Sequence, residues 1–162
     1  LPQLDHLQFM GNLIQAHLTF PAKFLPSVHA HCLVQLYDTT GGERWTRHDW
    51  WRTQHSSLVS WHGVVVQPSF GYVVEVRLNH NNLEGTIPEN IWLLASLQIL
   101  HLSHNRLGGQ IPESIGQLTN LIELTLDRNQ LTGQVPTCIE SLTCLRVLKL
   151  SHNFLETLDL ES

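Results

Sequence analysis

Between Val76 and Leu155, apolar residues return to the same places every 24 positions. One copy reads Val76, Leu78, Leu83 and Ile87. The next reads Leu100, Leu102, Leu107 and Ile111, the third Leu124, Leu126, Leu131 and Val135, and a fourth begins with Leu148, Leu150 and Leu155. Polar and breaker residues keep the same frame: Asn81, Asn105, Asn129 and Asn153, then Gly85, Gly109 and Gly133, then Pro88, Pro112 and Pro136. A fixed period of this length marks a solenoid, in which no unit buries its apolar face alone and stacking supplies a shared interior. Leucines two apart, such as Leu100 and Leu102, share one face of a short strand, so stacked units are expected to build a parallel sheet. The Asn follows where the chain turns out of that strand. Its amide both donates and accepts, and can satisfy backbone groups that no longer pair in the sheet. The Gly permits a turn that a Cβ would hinder, and the Pro fixes φ on the return leg. Residues 113–118 are expected to make a short helical turn on the convex side.

Ahead of the periodic region the pattern changes. Val28, Cys32, Leu33, Leu36 and Tyr37 suit one face of a short helix, which Gly41 and Gly42 stop. Val64–Val66 and Val73–Val74 read as strands around a Pro68–Gly71 turn. The tryptophans Trp45, Trp50, Trp51 and Trp61 read first as the apolar core of this segment and second as an aromatic platform for sugars. In residues 1–27, Leu4, Leu7, Met10, Leu13, Ile14 and Leu18 fit an amphipathic helix, while Leu4, Leu7, Phe9, Asn12, Ile14, Ala16 and Leu18 fit a degenerate repeat, with disorder the third reading. In any of these forms the segment is extra to the pattern and a candidate docking arm. At the other end Thr157 stands where a Gly should be. Leu155, Leu158 and Leu160 are expected to form a shortened terminal strand, its edge blunted by Glu156, Asp159 and Glu161. A solenoid end needs a polar terminal unit, so either more chain follows or a partner covers it.

The frame LxxLxLxxNxLxGxIPxxI, over about residues 73–155, resembles the plant-type leucine-rich repeats of receptor-kinase ectodomains, polygalacturonase-inhibiting proteins and many protist and bacterial surface proteins. A second resemblance covers about residues 28–72: the run from Cys32 through Tyr37, Gly41 and Gly42 to Trp45, then Trp50–Trp51 and Ser60–Val64, is similar to the N-terminal cap of those proteins. The resemblance implies an α/β solenoid, a right-handed leucine-rich-repeat superhelix with a short parallel sheet and a helical/β cap. It divides the chain into an N-terminal extension (1–27), a cap (28–72) and about four repeats (73–162). Caps of the plant receptors usually carry a cysteine pair near the tryptophan. Here no cysteine lies between Cys32 and Cys138, which weakens any inference of secretion.

Composition narrows the function. The 162 residues carry a formal net charge of −5 with only 14% charged, which gives no reason to expect a nucleic-acid partner. No stretch approaches the roughly 20 apolar residues of a membrane span. No signal peptide is visible and the chain starts at Leu1, so its N-terminus is expected to be processed, trimmed or incomplete. None of the nine asparagines lies in an N-x-S/T sequon. The compartment therefore stays open between an extracellular or membrane-associated one, by resemblance, and an intracellular or organellar complex. Three cysteines are too few for a disulfide framework; Cys138 and Cys144 either pair or remain thiols. His29 with His31, and His80 with His104, are near enough to raise a metal site, but no carboxylate or cysteine completes a ligand set, so no metal and no cofactor are expected. Phosphate-loop, dinucleotide, GxSxG and HExxH motifs are absent, so no catalytic residue is assigned.

Binding is expected on the concave face, at the variable positions between the fixed leucines: Glu75, Arg77, Asn79 and His80; His101, Ser103 and His104 beside Ile99; Glu123, Thr125, Asp127 and Arg128; Lys149, Ser151 and His152 beside Val147. Across the strands, Arg77, His101, Thr125 and Lys149 form one column, and His80, His104, Arg128 and His152 another. Two partly basic columns on an acidic protein point to a partner with an acidic patch; the alternative is a merely solvated face. Histidine also makes the surface a candidate pH sensor. Four strands span about 15 Å and about 300 Å², against about 800 Å² per partner for a stable complex, so the cap, an edge or residues 1–27 must add area. The chain therefore reads as a non-catalytic protein–protein interaction module, a structural or accessory subunit of a larger assembly. The alternatives are a fragment of a cell-surface receptor ectodomain and an enzyme inhibitor resembling polygalacturonase inhibitors.

Overall fold

The structure, a computed structural model, describes residues 25–51 and 57–156. The readings of residues 1–24 and of Leu158 and Leu160 lie outside the described residues. Helix α1 (Leu25–Thr39) is the first described element. It buries Cys32, Leu33, Leu36 and Tyr37 on one face. The Thr40 hydroxyl closes its end on the Leu36 carbonyl, and Gly41 takes the left-handed conformation (φ 66°) that the following turn requires. Tyr37, Trp45, Trp51 and Trp61 then pack in succession, tilted or edge-on, with ring centroids 5.1, 4.8 and 5.0 Å apart from Tyr37 to Trp45, Trp45 to Trp51 and Trp51 to Trp61. Both ends of these rings are satisfied. Trp45 Nε1 donates to the Thr40 carbonyl and Trp51 Nε1 to that of His62, each at 3.0 Å, so the indoles bury without a polar penalty. These three tryptophans are cap core; Trp50 differs, being exposed and at φ 66°.

Strands β1 (Val64–Val66) and β2 (Val73–Arg77) pair antiparallel around the 68–71 turn. From β2 the chain winds. Strands β4 (Ile99–His101), β6 (Glu123–Thr125) and β8 (Val147–Lys149) follow in parallel register, giving a five-stranded sheet in the order β1-β2-β4-β6-β8. The register aligns Val76, Leu100, Leu124 and Leu148, and aligns Arg77, His101, Thr125 and Lys149, as the 24-residue period requires. Leu78, Leu83, Leu100, Leu102, Leu107, Leu124, Leu126 and Leu131 are fully buried. Each is worth about 1.5–3 kcal/mol relative to exposure, and together they form one continuous interior from cap to coils.

The return leg holds a feature the sequence pattern did not announce. Four more strands, β3 (Glu84–Thr86), β5 (Arg106–Gly108), β7 (Thr132–Gln134) and β9 (Phe154–Glu156), pair in parallel as β3–β5 and β7–β9, on the flank of each coil. Leu155 thus belongs to this flank strand. Three-residue strands rich in Gly and polar residues carry no readable period. Gly85 sits in β3 at φ 127°, where a Cβ would lie 2.0 Å from the Thr39 carbonyl oxygen at the end of α1. After Pro88, Pro112 and Pro136, all extended, come 3₁₀ turns at Glu89–Leu93, Glu113–Gln117 and Thr137–Ser141. The expected convex turn at 113–118 is the second of these. Cys32, Cys138 and Cys144 are all free thiols, Cys32 buried and Cys144 exposed.

Candidate functional site

The asparagine ladder positions the concave face. Asn105 Oδ1 accepts from the backbone N–H groups of Asn81 and Leu83, both at 3.0 Å, and its Nδ2 donates to the Leu78 and Leu102 carbonyls at 2.8 and 2.9 Å. Asn129 and Asn153 repeat this: each accepts from an N–H of the preceding coil (Leu107, Leu131) and donates to carbonyls of that coil and its own. One side chain therefore stitches two coils at the bend, which holds the strand ends, and the side chains they carry, in a fixed relation. Asn81 has no preceding coil and bonds the cap instead, taking the Arg47 N–H at 2.7 Å and donating to the Arg47 carbonyl at 2.8 Å.

The predicted face residues fall into columns, but these are not equally available. Arg77 is bound on two sides: its Nε meets Glu75 Oε2 at 2.7 Å and its Nη1 lies 3.2 Å from His101 Nδ1. His101 Nε2 lies 2.8 Å from Glu123 Oε2. A guanidinium only donates, so His101 Nδ1 must be the acceptor, and the proton sits on Nε2, facing Glu123. The line Glu75–Arg77–His101–Glu123 is thus hydrogen-bonded from end to end, with two carboxylates to one guanidinium. A third column is likewise tied internally: the Ser103 N–H donates to Asn79 Oδ1 at 2.8 Å and the Ser103 hydroxyl to Asp127 Oδ1. Ser103 and Thr125 are buried, only 6% exposed each, and offer a partner little surface. Lys149 and Ser151, on the last described coil, are exposed.

The fourth column is different. His80, His104, Arg128 and His152 all adopt left-handed backbone, φ 54–57°, immediately before the ladder asparagines. Non-glycine residues seldom do so. All four side chains are exposed, and the His80 and His104 rings stack with centroids 4.0 Å apart. Partial desolvation, then the positive neighbours His80, Arg128 and His152, lower His104 from its ordinary value, while Asp127 pulls the other way. The backbone geometry was not legible beforehand. A signal was present, however: His-Asn recurs at 80–81, 104–105 and 152–153.

The sheet also gains a strand that the four-coil count omitted. Val65 of β1 lies directly opposite Glu75, and residues opposite one another share a face, so Val65, 42% exposed, extends the concave surface with an apolar position. Beyond it Phe70, exposed, stacks on Tyr72 at 5.7 Å. On the flank, an open groove of about 1150 Å³ runs past Thr86, Glu89, Trp92, Gln110 and Glu113. Two buried oxygens beside it, Asn90 Oδ1 and Ser114 Oγ, have no hydrogen-bond partner among the described residues, but neither reaches the solvent in the groove. The groove follows the spacing between flank strands and convex turns and gathers no such ordered set of charges as the concave face. Among the described residues no group of three or more His, Cys, Asp or Glu side chains is placed to hold a metal ion, and no helix is long and apolar enough to cross a membrane.

Comparison with known proteins places this geometry. The family model described as Leucine Rich Repeat matches residues 72–94, 96–118 and 120–142. No curated protein matches the chain by sequence. Among solved structures, a chain of the BIR3–SERK2 complex from Arabidopsis thaliana is similar at 34% identity and a TM-score of 0.67, over 76% of this chain and 68% of that one. The ectodomain of the receptor kinase SOBIR1 from Arabidopsis thaliana is similar at 27% identity and a TM-score of 0.64, over 80% of this chain and 68% of that one. A plant ice-binding protein is similar at 29% identity and a TM-score of 0.70, over 78% of this chain; the chain spans 40% of its length.

Proposed function

The chain belongs to the leucine-rich-repeat family, and from that premise we propose that its concave sheet is the surface with which this protein-interaction module holds a partner, without catalysis of its own. An ice-binding protein shares this coil, so the fold alone does not fix the function and the site does. The observation that carries it is the exposed column His80–His104–Arg128–His152, held in left-handed turns beside a line of side chains already bonded to one another. These turns fix four exposed side chains in one line, which a partner can meet as a unit.

In this reading residues 28–72 cap the stack and lend Val65 and Phe70 as an apolar margin, while residues 73–162 present the polar columns. The partner carries an acidic patch facing Arg128, Lys149 and the exposed histidines. The BIR3–SERK2 structure is a complex of two named proteins. By analogy the occupant here is a protein surface or an extended peptide, and the chain serves as a subunit of a larger assembly; a fragment of a receptor ectodomain is the same reading in another setting.

The test is hydrogen exchange on the complex with whatever partner co-purifies. Protection of amides in β2, β4, β6 and β8 and at residues 79–81, 103–105 and 127–129 is the expected result. A partner that protects the convex turns at 89–93, 113–117 and 137–141 and leaves the sheet unchanged overturns it.

A further inference from the structure

Resting on the concave-face reading, we propose that the His80–His104–Arg128–His152 column is a proton-loaded dock for a carboxylate-rich polypeptide segment, engaged when its histidines are charged and released when they are neutral.

The charge balance of the face leads there. Glu75, Glu123 and Asp127 stand against three permanent cations, Arg77, Arg128 and Lys149, so with neutral histidines the predicted face carries no net charge. Arg77 is already committed to Glu75 and His101, and the whole protein is acidic at −5. At neutral pH only Arg128 and Lys149 are left to draw an acidic partner, so that attraction is weak. Protonating His80, His104 and His152 adds three positive charges along one line, next to Arg128 and one coil apart, about 4.8 Å per step.

The scaffold makes this line rigid. The His80, His104 and Arg128 N–H groups donate to the Ser103, Asp127 and Ser151 carbonyls of the next coil, at 3.1, 3.0 and 2.9 Å. The ladder asparagine follows each one. The backbone is ordered before a ligand arrives, so binding does not have to order it. Histidine, like Asn82 at φ 58°, tolerates left-handed backbone, so these turns hold their side chains at little conformational cost. Three histidines and an arginine stand in those turns, one per coil.

The groups around the column set the direction of coupling. His104 faces His80, Arg128 and His152, which oppose its protonation, and Asp127, which favours it. Asp127 is itself engaged by Ser103. On the cap side the loop bonded to Asn81 brings His48 and the Arg47–Asp49 ion pair, 3.7 Å apart. Neighbouring cations thus resist charging of His104, and incoming carboxylates relieve that resistance. Binding and proton uptake are therefore linked. A carboxylate ligand suits the site because the face already pairs imidazole with carboxylate, at His101 and Glu123, and because Asn79 and Ser151 beside the column can bond a peptide backbone.

The experiment titrates the whole chain with an N-acetylated hexa-aspartate peptide at pH 7.5 and pH 5.5 at one ionic strength. Aspartate titrates near 3.9, so the probe stays charged at both. We expect at least about tenfold tighter binding at pH 5.5, and about one to three protons taken up per peptide near pH 6.5, read from calorimetry in buffers of different ionisation enthalpy. The triple variant His80→Asn, His104→Asn, His152→Asn keeps residues that tolerate left-handed backbone and should lose the pH dependence. Proton uptake by the unaltered chain tests the idea even if that variant folds poorly. Equal binding at both pH values with no proton uptake overturns the proton loading and leaves the acidic-partner surface standing. No binding at either pH overturns both. A single-stranded oligonucleotide of equal charge that binds more tightly than the peptide overturns the polypeptide assignment.

Discussion

The Asn81 side chain is bonded to both backbone groups of Arg47, accepting from its N–H at 2.7 Å and donating to its carbonyl at 2.8 Å. This pair does between cap and first coil what Asn105 does between coils. The Thr46 N–H adds a third bond, to the Asn81 carbonyl, at 3.1 Å. The cap is therefore joined to the solenoid by the solenoid's own stitch, and not by apolar packing alone.

Asn81→Ala should leave two Arg47 backbone groups unpaired and cost about 2–4 kcal/mol. Hydrogen exchange should speed up at residues 44–51 before the coils are affected. Uniform loss of protection across β4, β6 and β8 would instead mean that cap and coils melt as one unit.

Asn105→Ala removes a four-bond stitch and should cost about 3 kcal/mol. His104→Ala, one residue earlier, should fall within about 1 kcal/mol, since its ring is exposed and a Cβ at φ 57° is present before and after. His104→Gly should be neutral or raise stability, by relieving the left-handed strain of about 1 kcal/mol. Denaturant titration of the three variants gives the order. Equal midpoints for Asn105→Ala and His104→Ala would contradict the ladder.

Gly85→Ala places a Cβ 2.0 Å from the Thr39 carbonyl oxygen and demands φ 127° of an L-residue. It should destabilise by more than about 2 kcal/mol. Because the clash is with the end of α1, the near-ultraviolet signal of the Trp45–Trp51–Trp61 cluster should change with it. Gly108→Ala meets nothing closer than 3.9 Å and is the control.

Lowered histidines fix the sign of the pH dependence. His104 is held below its ordinary value of 6.5 by partial desolvation and neighbouring cations, and His62 by desolvation and Arg47 against Asp49. The unfolded chain therefore takes up protons first as pH falls. The stability these groups contribute is present above about 6.5 and lost below it. The melting temperature should fall between pH 7.5 and 5.5, and a variant with both His62→Gln and His104→Gln should flatten the fall. A curve rising toward pH 5.5 would contradict the assignment.

Cysteine chemistry should sort by burial. Cys32 is fully buried and its thiol is pushed up by desolvation; Cys138 is pushed up by desolvation and its bond to the Glu113 carboxylate; Cys144 is exposed. Brief alkylation of the native protein followed by mass mapping should label Cys144 first, and Cys32 only in denaturant.

What the chain's pattern determined by itself was the coil. A 24-residue period with leucines at strand spacing is a local regularity, and stacking is the one arrangement that buries it, so sheet register, ladder and convex turns followed from residues such as Leu102, Asn105 and Pro112. The cap helix and tryptophan core were legible for the same reason: their apolar faces have few other places to go. The tertiary structure decided the rest. That Arg77 is spent on Glu75 and His101, that Ser103 is buried, that Val65 joins the concave face, and that Asn81 finds Arg47, 34 positions away, all depend on which side chains meet once coils are stacked. Periodicity says which residues share a column. Whether a column is free or neutralised depends on hydrogen-bond geometry across neighbouring strands, which no residue pattern encodes.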